Sequence, residues 1–326
     1  MAKLVHRFLF IKKINKTPFI LALTVYFYFI YLYLNANPKT YNHMRKLILL
    51  LVLVFQFQNS HAQEPTNENI EKPVWTKGGT FTFLLNQSTF ENWVAGGVSS
   101  ISGAVGINYD FNYVKDAWSW DNKIIAAFGV TKIMGQDIQK SDDRLEWNSV
   151  LGKKAKGYWY FSAFLNFKTQ FTDDLDSDTE GPTKFLSPGY LQLGPGMLWK
   201  KSENLKVNIA PATAKLIFVD KNLTLPEAAY FGVDEGKSTR FEFGASVGAY
   251  YKFDLLKNIS MENILNLYSN YLEDPQNIDL DYTMNLVMKV NKHISTTLAY
   301  QTIYDDNAFQ GLQTRQVFGL GLNYNF

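Results

Sequence analysis

Apolar and polar residues alternate along this chain with a period of two, in blocks too long for a typical soluble strand. From Ile101 to Tyr113 the odd positions are Ile101, Gly103, Val105, Ile107, Tyr109, Phe111 and Tyr113; the even ones are Ser102, Ala104, Gly106, Asn108, Asp110 and Asn112. The pattern returns at 159–171, 241–253 and 278–290, where Leu280, Tyr282, Met284 and Leu286 alternate with Asp279, Asp281, Thr283 and Asn285. One apolar face and one small or charged face over more than ten residues fits lipid outside and a wet lumen inside. The pattern predicts about twelve strands, near 78–87, 98–113, 118–133, 143–152, 157–171, 189–200, 204–218, 238–253, 258–271, 277–290, 293–305 and 313–326. Short turns and longer loops are expected to alternate between them, the longer ones at 88–97, 134–142, 172–188, 219–237, 272–276 and 306–312. A soluble β-sandwich would need strands near six residues. The fold class expected is therefore all-β: a transmembrane antiparallel β-barrel of about twelve strands, preceded by a cleavable signal peptide.

The C-terminus sharpens this. Phe318, Leu320, Leu322, Tyr324 and Phe326 occupy alternate positions, and the sequence stops on the last of them. The closing strand of a barrel must stay apolar towards lipid to its end. A terminal aromatic of this kind resembles the signal read by the bacterial barrel-assembly machinery.

The other end is organised for export. Residues 44–62 (MRKLILLLVLVFQFQNSHA) have a cationic start at Arg45 and Lys46, an apolar run too short to span a bilayer, and a small-residue cleavage site after Ala62. A second apolar run, FILALTVYFYFIYLYL (19–34), precedes it, and reads either as an anchor or as translated upstream sequence; the second reading makes Met44 the start. The domain plan is thus 1–43 a mis-annotated extension or hydrophobic segment, 44–62 signal peptide, 63–75 periplasmic tail and 76–326 barrel. Residues 1–62 hold eight Lys or Arg and neither Asp nor Glu, so 24 basic and 30 acidic residues follow Ala62, a balance of −6 where the whole chain has +2. Nucleic-acid binding has no support in that charge. There is no cysteine, which excludes disulfides and lipid acylation on Cys, and aromatics make up 16% of the chain.

With the barrel argued, FLLNQSTFENWVAGG (83–97), Asn108-Tyr109-Asp110, Trp120-Asp121-Asn122-Lys123, Asp142-Asp143-Arg144, Leu151-Gly152-Lys153-Lys154 and Phe185-Leu186-Ser187-Pro188-Gly189-Tyr190 resemble the motifs of a Bacteroidota outer-membrane barrel family. That family is known only as domain of unknown function 3078. The resemblance runs from about residue 75 to the C-terminus. It implies the outer membrane of a Gram-negative bacterium and carries no activity.

Candidate chemistry is sparse. On inward faces the alternation places Arg144, Glu146, Lys168, Arg240, Glu242, Asp279, Asp281 and Lys289, with Asp110, Asp121, Lys123, Lys252, Glu262 and Arg315. Acids and bases balance, so they serve either a small channel's lining or an ion-paired interior. In the first loop, Asn92 to Gly97 reads as a glycine turn with Trp93 anchored at the interface, or as a stacking site for a sugar or partner chain. Asp174, Asp176, Asp178 and Glu180 offer oxygen ligands at every second position, a candidate Ca²⁺ site in an outer loop, though not an EF-hand. No other cofactor is expected. His293 is the only histidine after Ala62 and lies in a turn, so no Ser-His dyad can form in the barrel wall and no enzyme is expected. Partners expected are outer-membrane lipids and lipopolysaccharide, the barrel-assembly machinery and an envelope protein. The two functions carried forward are a structural or docking barrel and a narrow channel for small polar solutes or ions.

Overall fold

The computed structural model describes residues 74–89, 98–173, 183–224 and 229–326. They form twelve antiparallel strands: β1 (Trp75–Ser88), β2 (Ser100–Lys115), β3 (Trp118–Ile133), β4 (Ile138–Lys154), β5 (Trp159–Thr169), β6 (Gly189–Ser202), β7 (Leu205–Phe218), β8 (Thr239–Leu256), β9 (Ile259–Asn270), β10 (Ile278–Lys289), β11 (Ile294–Asp305) and β12 (Phe309–Asn325). Each strand pairs with its sequence neighbours, and β1 pairs with β12, so the sheet closes on itself and has no free edge.

The side-chain distribution is inverted relative to a soluble protein. Phe161 is 63% exposed, and Phe318 and Leu320 are each 59% exposed, whereas Glu242 is 1% and Lys215 2% exposed. Apolar groups cover the outside and charges fill the inside, which is favourable only with lipid around the barrel. Phe318, Leu320, Leu322, Tyr324 and Phe326 all lie on this outer face. The backbone of Phe326 closes the ring by exchanging two hydrogen bonds with Gly79, at 2.8 and 3.0 Å. Its ring stacks on Tyr109 and Tyr324, with centroids 5.9 and 6.2 Å apart.

Two connections are shorter than the polar pattern suggests. β4 begins at Ile138 and β12 at Phe309, leaving only 134–137 and 306–308 as turns. Asp142, expected in the 134–142 loop, is like Asp143 a strand residue with a satisfied charge. Asp142 faces Arg315. The Asp143 carboxylate accepts from the Thr172 hydroxyl (2.8 Å), the Phe171 amide (2.8 Å) and Lys140 (3.0 Å). The β2–β3, β4–β5, β6–β7, β8–β9 and β10–β11 turns and the C-terminus share one end of the barrel, the short-turn end; the long 170–188 and 219–238 connections lie at the other, the long-loop end.

A β-bulge in β7 governs the interior. Its register against β8 slips between Ala210 and Thr213. Before the bulge the even residues Lys206, Asn208 and Ala210 face inward; after it the odd residues Thr213, Lys215 and Ile217 do. Opposite lie Gly194 and Gly196 of β6. A Cβ on Gly196 would stand 2.5 Å from the Ile209 carbonyl oxygen, and one on Gly194 would collide with that of Ala212. These positions need glycine so that the bulged backbone can approach.

Candidate functional site: an ion-paired lumen

The inward residues form two polar layers. Towards the short-turn end, the Asp121 carboxylate on β3 accepts from Lys200 on β6 (2.8 Å) and Lys206 on β7 (2.7 Å). The Lys206 ammonium also lies 5.4 Å above the ring of Tyr250, and Lys123 lies 5.7 Å from that ring. Lys123 then donates to Glu262 at 3.1 Å. Glu262 accepts from the Tyr250 hydroxyl at 2.9 Å and from the Asn285 amide at 3.2 Å as well. Since β3 and β9 are six strands apart in a ring of twelve, the Lys123–Glu262 pair joins opposite walls.

The second layer sits nearer the long-loop end. Lys168 on β5 pairs with Asp281 on β10, five strands away, and Gln301 donates to the other Asp281 oxygen at 3.0 Å. Lys215 on β7 draws three carboxylates together: Asp279 at 2.8 Å, Glu242 at 3.2 Å and Asp305 at 3.7 Å. Its ammonium lies 4.8 Å from the Tyr268 ring. Arg240 pairs with Glu242 at 3.0 Å and with Glu273 at 2.6 Å. Arg315 on β12 pairs with Asp142 on β4. Arg144 lies 3.9 Å from Asp142 and 3.8 Å from Glu146, and its buried Nε has no hydrogen-bond partner among the described residues.

Above this layer the β7–β8 connection turns inward. Val219 and Val233 pack with the inward-facing Ile217, and Tyr190, Tyr230 and Phe231 surround them. Phe231 and Gly232 take left-handed conformations (φ 50° and 76°), and the Gly232 carbonyl accepts from Arg240 at 3.0 Å. In the same connection the Asp220 carboxyl is held below the usual aspartate range, first by the Asn222 amide that donates to it and then by Lys184.

Each residue read as inward from the sequence can now be placed. Arg144, Glu146, Lys168, Arg240, Glu242, Asp279 and Asp281 lie within the upper layer. Lys289 takes an inward register position opposite Ser295, but it sits exposed at the mouth, with no ion pair among the described residues. Lys252 is also exposed there. Lys200, Lys206, Lys215, Asp142 and Asp305 were not read from the sequence. The bulge hides Lys215, because it reverses the alternation that would have revealed it. Asp279, Asp305 and Asp306 bring carboxylate oxygens within 4.8 Å of one another, but Lys215 already supplies the cation there. Asp174, Asp176, Asp178 and Glu180, the Asn92–Gly97 loop, Ala62 and the segments 1–43, 44–62 and 63–73 lie outside the described residues. His293 is exposed in the 290–293 turn, where its amide donates to Asn291.

Fold and site together define a closed, twelve-stranded transmembrane β-barrel whose lumen is crossed by salt bridges. The family described as "Protein of unknown function (DUF3078)" matches residues 85–174. No curated protein sequence matches the chain. Among solved structures, an outer membrane channel from Pseudomonas putida F1 is 10% identical, covering 81% of this chain and 99% of its own, with a TM-score of 0.36. The translocator domain of the autotransporter NalP from Neisseria meningitidis is 7% identical, covering 87% and 96%, with a TM-score of 0.32. The outer membrane channel DcaP of Acinetobacter baumannii is 10% identical, covering 77% and 95%, with a TM-score of 0.31.

Proposed function

We propose that this chain is a non-catalytic barrel of the Gram-negative outer membrane, exported by cleavage after Ala62, with a lumen held shut. Its role in this reading is structural or docking, and its working surfaces are its two ends. One observation carries it: Lys123–Glu262 and Lys168–Asp281 tie opposite walls together at two heights. A solute would have to break buried pairs in succession, each costing several kcal/mol when one partner is left alone. A second reading, a narrow channel for polar solutes, draws on the continuous polar lining and on side chains that water still reaches, such as Asp110 (47% exposed) and Arg315 (32%).

Single-channel recording on the refolded Gln63–Phe326 barrel in a planar bilayer separates the two. A barrel shown to be folded by heat-dependent gel migration is expected to give no stepwise current. Reproducible steps whose ion selectivity changes in Arg144→Glu and Arg240→Glu would establish the channel instead. The outer-loop Ca²⁺ site at Asp174, Asp176, Asp178 and Glu180 belongs to the same proposal, and calorimetric titration with Ca²⁺ tests it directly.

A further inference from the structure

The short-turn end of the barrel is basic. At the short-turn end lie Lys115, Lys153, Lys154, Lys156, Lys201, Lys252, Lys257, Lys289 and Lys292, against Asp116, Glu203 and Asp254. Of these lysines, Lys153 packs over the Trp118 ring, 5.6 Å from its centroid; the others have no ion pair among the described residues. The long-loop end is mixed: Asp220, Asp234 and Glu273 pair there with Lys184, Lys237 and Arg240, beside Glu235, Asp274 and Asp306.

The basic end is more than a solvated rim, because it contains a cleft of about 280 Å³ between the β2–β3, β4–β5 and β6–β7 turns. Asp116, Lys154, Tyr160, Lys200, Lys201 and Glu203 are among the residues that line it. Lys200 is neutralised by Asp121 and Glu203, each at 2.8 Å, which leaves the ammonium groups of Lys154 and Lys201 unmatched. Orientation decides what they could meet. By strand register, Lys154 (opposite Tyr160), Lys252 (opposite Glu262) and Lys289 (opposite Ser295) lie on the lumen side of the wall. They project into the barrel mouth, away from the headgroups that surround the outside. A ligand for Lys154 must therefore come from the aqueous side, whereas Lys201 lies at the register slip between Lys200 and Ser202, on the rim of the cleft.

We propose that the short-turn mouth is a docking site for an acidic, carboxylate-rich peptide segment of a soluble partner, seated in this cleft. Side-chain carboxylates would pair with Lys154 and Lys201, and Tyr160 would supply the apolar floor. The mouth would be the barrel's periplasmic face, since β1 starts at that end directly after the segment read as a periplasmic tail, and this rests on the outer-membrane reading proposed above; the charge argument does not depend on the lumen being closed.

The test uses the intact barrel in micelles of an uncharged detergent and a fluorescein-labelled octaglutamate peptide, followed by fluorescence anisotropy. Binding is expected at low salt and should weaken steeply as ionic strength rises. Lys154→Gln/Lys201→Gln should lose about tenfold in affinity, the size expected of two partly exposed ion pairs. Lys237→Gln at the opposite end should bind as the parent does. All variants must keep heat-dependent gel migration. Absence of peptide binding by the folded barrel overturns the proposal, and so does binding that the Lys154/Lys201 pair leaves unchanged. Loss of adhesion to phosphatidylglycerol vesicles in that pair, with peptide binding intact, would reassign the lysines to lipid headgroups. A conducting barrel that still binds the peptide would refute the closed lumen and leave the mouth site standing.

Discussion

Lys215→Met is the most searching perturbation of the lumen. The Lys215 side chain is 3% exposed, and its ammonium is the cation shared by Glu242, Asp279 and Asp305, whose side chains are 1%, 20% and 13% exposed. Methionine keeps most of the volume, so the variant removes charge rather than packing. What remains is Arg240 against three carboxylates, with Glu242 almost wholly shut off from water. Breaking one partner out of a buried pair costs about 3–5 kcal/mol. The partial exposure of Asp279 and Asp305 places the expected loss near the lower bound, about 3 kcal/mol. Urea unfolding in detergent, followed by tryptophan fluorescence, measures it. The companion variant Lys215→Met/Glu242→Gln removes the most buried stranded charge and should regain about 2 kcal/mol, within the coupling found between direct partners. Two results would refute the reasoning. One is a Lys215→Met barrel within about 1 kcal/mol of the parent; the other is a double variant whose loss is the plain sum of its singles. Either would mean that water penetrates the upper layer and screens these charges, which would favour an open lumen.

Three further expectations follow from other parts of the barrel. Deleting Phe326 removes the paired hydrogen bonds to Gly79, worth about 2 kcal/mol together, as well as the stacking on Tyr109; the heat-modifiable fraction after refolding should fall. Gly244→Ala would drive a methyl into the Ser269 backbone oxygen, whereas the inward-facing Gly106→Ala meets nothing closer than the Ala126 oxygen at 3.8 Å. The first should cost about 1–3 kcal/mol or more and the second less than about 0.5 kcal/mol, both read from urea midpoints. In the β7–β8 connection, the Asp220 carboxyl lies below its ordinary value because Asn222 and Lys184 favour the charged form. That contribution is therefore present above the unfolded aspartate pKa and is lost as pH falls through the lower folded value. Asp220→Asn should speed exchange of the Asn222 amide at neutral pH, as seen by NMR, and the parent should show the same loosening only in acid.

How far the sequence reveals such a barrel depends on whether lipid enforces the pattern locally. All twelve strands can be read from it because every outward position must be apolar wherever lipid touches it, as Leu280, Tyr282, Met284 and Leu286 show. Lys168, Asp281, Arg240 and Glu242 are legible for the same reason: they keep the inward phase of their strands' alternation. The pairs that tie opposite walls are not legible, since nothing local to Lys168 indicates that its partner lies 113 residues onward. That choice is made by barrel size and strand stagger, which only closure sets. The bulge between Ala210 and Thr213 removes even the local signal, because one slipped residue exchanges the two faces of a strand. Lys206 and Lys215 differ in parity yet both point inward. Each meets carboxylates from other strands there: Asp121 for Lys206, and Glu242, Asp279 and Asp305 for Lys215. The bulge thus lets one strand supply a cation to both polar layers. An insertion or deletion of one residue between Ala210 and Thr213 should therefore be more damaging than the loss of either lysine alone, because it would turn one of the two ammonium groups towards lipid.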